Sequence, residues 1–359
     1  MVALKRLLRR VVPSSLRRKY RERNFDESKV IYNGISYKDY LQSALVSFRP
    51  DIIGRKQEAL IRDIKHAFGA YHIRPDEYLL YNFDHSSKKV RDSYLPQKQK
   101  NSILIDYYGS DWNRIVWQLQ DKYSFYSLAR PFFKRDVVKI ATSEDWREFE
   151  LFCKSHSSFI CKIIDRGCGL GISKYEVISD QQARDLFDKL LAQGSFIVEE
   201  LIKQNETMAL FNSSSVNTIR YLSFRHGNKV IGAYPVLRTG RAGCIVDNAG
   251  QGGVFASIDI DSGIVSTNGF DEKGHEFDCH PDSRIRFKGF VIPEWKELTE
   301  EAKRVHLSLP REHVYVAFDF ALSDKGWMVV EGNWGEFIMQ QTSLKRGLKK
   351  EFVRLLEEE

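Results

Sequence analysis

Val314-Tyr-Val-Ala-Phe-Asp-Phe-Ala-Leu-Ser-Asp-Lys-Gly-Trp-Met-Val-Val-Glu-Gly-Asn333 reads as two apolar runs around the turn Asp324-Lys325-Gly326. A three-residue loop closing on a left-handed glycine is a common hairpin connection, so the stretch predicts a β-hairpin. If Ser323 pairs with Trp327, counting back along the ladder sets Asp319 opposite Glu331, and Asn333 shares the face of Glu331 because strand side chains alternate. Two like charges opposite one another destabilise a sheet, so the pair asks for a cation. Mg²⁺, held elsewhere by one or two carboxylates plus substrate phosphates, meets that need. A solvent face carrying stray acids is the plainer alternative on these residues alone.

Outward from the hairpin, 359 residues with 42% hydrophobic and 13% aromatic content exclude a disordered chain and provide for two or three packed subdomains. No run is apolar enough to span a membrane, and Met1 is not followed by a secretory core. Cys153, Cys161, Cys168, Cys244 and Cys279 are odd in number and lack zinc spacing, which suits reduced thiols in a cytoplasmic protein. The net charge of +7 is concentrated at one end. Residues 1–24 hold nine Lys and Arg against Glu22, leaving the remainder slightly acidic, so the body is not a nucleic-acid-binding surface by charge. Within this arm Leu4, Leu7, Leu8 and Val11 fall at helical spacing among Lys5, Arg6, Arg9 and Arg10. A basic amphipathic helix of that kind suits an anionic membrane surface, placing the protein peripherally on the inner face; a solvated terminus or a helix docked on the body are the alternatives.

Helical spacing over Arg55–Phe68 predicts a helix stopped by Gly69, and the polar stretch Gln97–Asn101 a loop. A helix from Trp112 leads into Asp121-Lys122. Next come a strand over Asp136–Ile140, a helix over Ser143–Ser155 with Ser143 as N-cap, a strand over Phe159–Ile164 and the glycine-rich turn Asp165–Gly171. A helix over Asp180–Ala192 and a strand over Ser195–Ile202 follow. Residues 217–267 read as strand-rich, interrupted by the glycine-rich loop Gly240–Gly253, and a helix over Pro293–Leu307 precedes the hairpin.

Lys162 near a strand end, followed by Gly167, Gly169 and Gly171, is a combination that suits phosphate: glycines admit backbone N–H groups and the lysine adds a point charge. Alone it equally fits a flexible turn. In order, however, Asp121-Lys122, Lys162 with its glycine loop, Val198-Glu199-Glu200-Leu201-Ile202, and Asp319 with Glu331-Gly332-Asn333 resemble the ATP-grasp superfamily over roughly residues 112–340. Val216-Asn217-Thr218-Ile219-Arg220, Val246-Asp247-Asn248 with Gly252-Gly253, and His280-Pro281 with Gly289–Pro293 resemble its sugar-transfer-associated branch.

The resemblance implies an α+β ATP-grasp fold with two α+β subdomains clasping ATP. The expected division is a basic arm (1–24), a mixed α/β segment (25–111), the N-terminal and lid subdomains (112–210) and a catalytic subdomain (211–359). It implies that Lys122 and Lys162 contact the α- and β-phosphates beneath the glycine lid, with Lys139 a competing first lysine. Glu199, Glu200, Leu201 and Ile202 form the adenine hinge, and Glu206 faces ribose. Asp319, Glu331 and Asn333 hold Mg²⁺, and Arg220, with Lys162, serves the transferred phosphoryl group. D-alanine ligases of this superfamily carry Arg two residues before the metal Asp, where this chain has Ala317; Arg220, Arg238 or Arg241 must supply those contacts. Asn217, Asp247, Asn248, Gly252 and Gly253 form the expected acceptor side, and the loop His280 is either a base or, more simply, structural. The implied reaction is ATP-dependent amide formation between a small-molecule carboxylate and an amine through an acyl phosphate, with a sugar-type substrate in polysaccharide biosynthesis. A kinase-like phosphotransferase and a non-catalytic membrane-surface scaffold are the alternatives.

Overall fold

The computed structural model describes residues 30–32, 34–164, 172–244, 252–335 and 337–358. The basic arm, the Gly167-Gly169-Gly171 loop, Asp247 and Asn248 lie outside the described residues. No helix among the described residues is long and apolar enough to cross a membrane. The chain divides into two units, residues 1–112 with 336–354, and residues 113–335 with 355–359.

The first unit is mainly helical, with a ribbon of β1 (Ile31–Tyr32) and β2 (Ile35–Ser36). Its core mixes aromatic and aliphatic side chains: Tyr37, Ile64, Ile73, Tyr78 and Phe83 are fully buried. Gly69 does not stop the Gly54–Tyr71 helix; the chain continues to His72, which ends it in the left-handed region at φ 54°. Gln97–Asn101, expected as a loop, opens the helix Gln97–Tyr108. The cause is remote: buried Glu77 accepts the Gln97 N–H at 2.8 Å while its other oxygen accepts the Arg74 N–H at 3.1 Å, so one carboxyl caps two helices. Residues 336–354 group here and not with the sheet of 211–335, because Gln341 bonds the Leu95 N–H and C=O at 2.8 and 3.1 Å and the Tyr81 hydroxyl at 3.2 Å.

The second unit holds two antiparallel sheets. The first contains β3 (Val137–Ile140), β4 (Ser158–Ile163), β5 (Ile172–Glu176) and β6 (Phe196–Glu200) in the order β3-β6-β4-β5. The helices Trp146–Ser155 and Asp180–Leu191 bury Phe149, Phe152 and Phe187 against Phe159, Phe196 and Val198. Thr142, not Ser143, caps the segment before Trp146, through a short 3-10 turn. The second sheet contains β7 (Thr218–His226), β8 (Lys229–Thr239), β9 (Val254–Ser257), β10 (Gly269–Phe270), β11 (Glu276–Phe277), β12 (Tyr315–Ser323) and β13 (Gly326–Asn333), ordered β11-β10-β9-β8-β7-β12-β13. The helix Trp295–Ser308 covers it, with His306 held between the Ser223 hydroxyl and the His313 carbonyl, each at 2.6 Å.

The hairpin forms with a different turn. Ser323 pairs with Gly326 and Leu322 with Trp327, leaving a two-residue loop. That register would set Asp319 opposite Val330, but a bulge between Asp319 and Phe320 on the β12 side leaves Val330 without an opposite number and returns Asp319 to Glu331. The predicted acid pair is therefore present through two compensating departures.

Candidate active site

Asp319 lies on β12 between β13 and β7, opposite Glu331 on one side and Arg220 on the other. Arg220 grips it bidentately, through Nε to Oδ1 and through Nη2 to Oδ2 at 3.0 Å, and Arg238 Nη1 from β8 reaches Oδ2 at 2.7 Å. Burial disfavours the Asp319 charge, but the two guanidinium groups outweigh it and hold the carboxyl below its ordinary range. Glu331 moves the other way. Lost solvation and the Asp319 charge raise its carboxyl, and the two acids lie within hydrogen-bonding reach of each other.

This arrangement fits a hard divalent cation. An ionised carboxylate offers about four lone-pair sites, of which Asp319 has committed three to arginine. Lost solvation first and the Asp319 charge second disfavour a bare Glu331 carboxylate, and a cation between the two acids would relieve both as a proton does. Asn333 adds an amide oxygen that accepts the Gly335 N–H at 2.8 Å, and the resulting all-oxygen donor set suits Mg²⁺.

One lysine comes from a helix and the other from the first sheet. Asp121 caps the helix Lys122–Phe133 by accepting the Ser124 N–H at 2.7 Å, which puts Lys122 in its first turn. Its ammonium lies 3.5 Å from the carbonyl of Ile164, the residue after β4. Burial lowers the Lys122 pKa; Glu331 and Glu199 oppose the fall and Lys162 adds to it, so these groups share one field. Lys162 on β4 pairs with buried Glu199 on β6 at 2.6 Å. Burial opposes ionisation of Glu199, yet Lys162 and Arg135 hold its carboxyl down at about 2.

The remaining expected residues are less concentrated. Glu199 is committed to Lys162 and Arg135, and Glu200 to Lys325 at 2.7 Å, while Leu201 and Ile202 follow β6 outside its ladder. Glu206 is exposed and begins a four-residue helix capped by Asn205. Asn217 is fully buried, its Nδ2 donating to Gln204, Met208 and Asn212, so it ties down a loop. Arg241 is paired with Asp282 at 2.8 and 3.0 Å beside Gly252. His280 is fully buried, donating to the Gly240 carbonyl at 3.0 Å while its other nitrogen accepts the Asp282 and Ser283 N–H groups, which is the structural alternative. Lys139 stacks 5.1 Å from the Tyr123 ring. Ala317 is fully buried against Gly335, where an added Cβ would stand 2.5 Å from the Ala317 Cβ. Arg220 and Arg238 bring guanidinium groups to Asp319 from β7 and β8 instead. One residue absent from the sequence reading is Arg135, which sits between a helix end and a strand with no motif to mark it.

A sugar-transfer associated ATP-grasp profile matches residues 111–355. The chain belongs to the sugar-transfer associated ATP-grasp family. None of the curated proteins matches the sequence. Similar solved structures include D-alanyl-alanine synthetase A from Vibrio cholerae O1 biovar eltor, at 12% identity and TM-score 0.39, covering 66% of this chain and 64% of that one. The N5-carboxyaminoimidazole synthetase from Staphylococcus aureus, complexed with ADP, has 11% identity and TM-score 0.37, covering 64% and 52%. The ATP-grasp ligase PsnB, complexed with a minimal precursor, has 11% identity and TM-score 0.41, covering 71% and 66%. The chain thus spans less than two thirds of the length of each. This ATP-grasp protein has the mixed α+β architecture that its family membership entails.

Proposed function

We propose that this protein is an ATP- and Mg²⁺-dependent carboxylate–amine ligase that joins an amino compound to a sugar or sugar acid in surface polysaccharide biosynthesis, at the cytoplasmic side of the membrane. The observation that carries this reading is the meeting of the Asp319–Glu331 pair with Arg220 and Arg238 from its own sheet, Lys162 from the other sheet and Lys122 from the first turn of a helix. The polysaccharide assignment rests on the family's sugar-transfer association, and the membrane side on the basic arm.

Asp319, Glu331 and Asn333 are the residues that would hold Mg²⁺, which when bound supplies charge neutralisation among phosphoryl oxygens. Lys122 and Lys162 offset charge along the polyphosphate. Arg220 and Arg238 present N–H groups where the γ-phosphoryl leaves ADP for the substrate carboxylate. The substrate oxygen takes the phosphoryl group, converting a poor leaving group into a good one. The amine nitrogen then attacks the acyl carbon, phosphate departs with the C–O bond, and the nitrogen gives up a proton. Positioning and electrostatics account for the protein's share.

The test is incubation with Mg-ATP and a panel of sugar acids, amino acids and amino sugars, following ADP, phosphate and product mass. ADP and phosphate should appear in equal amounts with one amide, only when acid and amine are both present. A stable phosphorylated acceptor without released phosphate would make the protein a phosphotransferase, and absence of ATP turnover across the panel would count against both.

A further inference from the structure

We infer that Arg135 is a positioning residue that fixes both halves of the site at once, holding the β13 bulge that aligns the acid pair and, through Glu199, the lysine that faces the phosphates. The inference rests on the ligase reading for what the two halves bind, and on geometry for how Arg135 connects them.

Arg135 stands two residues before β3, and its side chain is 1% exposed. A guanidinium has five N–H donors in a rigid plane, and buried donors without partners are costly. All five are used. Nε and Nη2 donate to Glu199 Oε2 at 3.0 and 2.7 Å. Nη1 donates to the Val329 carbonyl at 2.7 Å and the Phe133 carbonyl at 3.3 Å, and Nη2 also to the Val330 carbonyl at 3.3 Å. The plane rests 4.6 Å from the Phe133 ring centroid.

The two β13 carbonyls are those at the bulge. Val330 is the extra residue, and an extra residue leaves the ladder locally unpaired. Without a donor for those carbonyls the strand would close its ladder by slipping one residue, which sends every following side chain to the opposite face. Asp319 would then face Val330, and Glu331 and Asn333 would leave the face of Asp319. On its other side Arg135 neutralises half the demand on Glu199, whose second oxygen holds Lys162 at 2.6 Å. Glu199 therefore orients the lysine without being left as an uncompensated buried charge. Lysine at 135 can reach one of these sites but lacks the planar fork that reaches both.

The test measures ADP affinity by calorimetry with Mg²⁺ and with EDTA, in the full chain and in Arg135→Lys, Arg135→Met and Glu199→Gln. Wild type should bind ADP more tightly with Mg²⁺. Arg135→Lys and Arg135→Met should lose that Mg²⁺-dependent gain by about tenfold, the size typical of partners behind a metal ligand, and also weaken the EDTA arm. Glu199→Gln should weaken the EDTA arm and keep the Mg²⁺ ratio, because the bulge is still held. A general loss of structure cannot produce this split, and circular dichroism checks each variant; if Arg135→Met unfolds, the other two still decide. Wild-type Mg²⁺ ratios in both folded Arg135 variants would overturn the role of Arg135 alone. A wild-type protein whose ADP affinity ignores Mg²⁺ would overturn the ligase site and this role with it.

Discussion

Replacing Glu331 by glutamine separates what this residue costs the fold from what it gives a ligand. At pH 8, above the raised pKa of Glu331, both acids of the cross-strand pair are ionised. Two unit charges 4 Å apart at an effective dielectric of 20 repel by about 4 kcal/mol. Glu331 keeps part of its surface in water even though its carboxyl loses solvation beside Asp319, so solvent screening reduces the relief to about 1 kcal/mol. In a unit of this size that raises the melting temperature by about 2–4 °C. The same change removes an anionic oxygen from the cation's donor set. At an ADP concentration near 100 times Kd, binding stabilises wild type by about 2.7 kcal/mol, or roughly 5–10 °C. Glu331→Gln should thus melt higher than wild type without ligand and lower with Mg-ADP. Thermal melting in four arms, with or without ADP and with Mg²⁺ or EDTA, reads the crossing. A variant that melts below wild type in every arm, or that keeps the full Mg²⁺-dependent shift, refutes the reasoning.

Asp319→Ala should behave oppositely, since it strands Arg220 and Arg238 inside the sheet; a loss of about 3–5 kcal/mol in denaturant unfolding is expected, partly restored by adding Arg220→Met. Gly332→Ala should cost about 1–3 kcal/mol by overpacking, because a Cβ there would stand 2.3 Å from the Phe125 ring; an unchanged unfolding midpoint would contradict it. The two units should respond to pH with opposite signs. Burial pushes Glu77 up to about 7, so the first unit is most stable below the ordinary carboxylate pKa and loses up to about 1.4 kcal/mol per pH unit as pH rises toward 7. Burial drives His306 down to about 3, so the second unit loses stability as pH falls from about 6.5 toward 3. Hydrogen exchange resolved by unit should show both slopes, with Glu77→Gln flattening the first.

The hairpin was legible because strand alternation and a turn signal are local properties, and the order of lysines, glycines and acids placed it in a known family. Its register was not. Val329 and Val330 are equivalent by any propensity, and nothing near them announces that one is extra; the bulge depends on Arg135, which stands almost two hundred residues earlier. The same limit explains Gln97, whose helix begins at a carboxyl twenty residues away, and Asn217, whose Nδ2 is spent on the Gln204–Asn212 loop. Residue type and spacing report which chemistry a chain carries. They do not report which polar groups spend that chemistry on one another.

That distinction sorts the charges of the site. Among the described residues, Lys122, Lys162, Arg135, Arg220 and Arg238 stand against Asp121, Glu199, Asp319 and Glu331. Arg135 and Glu199 have their geometry fixed entirely within the protein. Arg220 and Arg238 share a single carboxylate, and the Lys122 ammonium is disfavoured where it sits. Positive charge therefore exceeds negative around the acid pair, which is an expensive arrangement for a buried region that has no anion to receive. In the ligase reading proposed above, a polyphosphate would repay the desolvation of the lysines and arginines together, and Mg²⁺ would repay the crowding of Asp319 and Glu331. Each ligand relieves the strain that the other's binding groups impose, so nucleotide and metal should bind with positive coupling instead of independently.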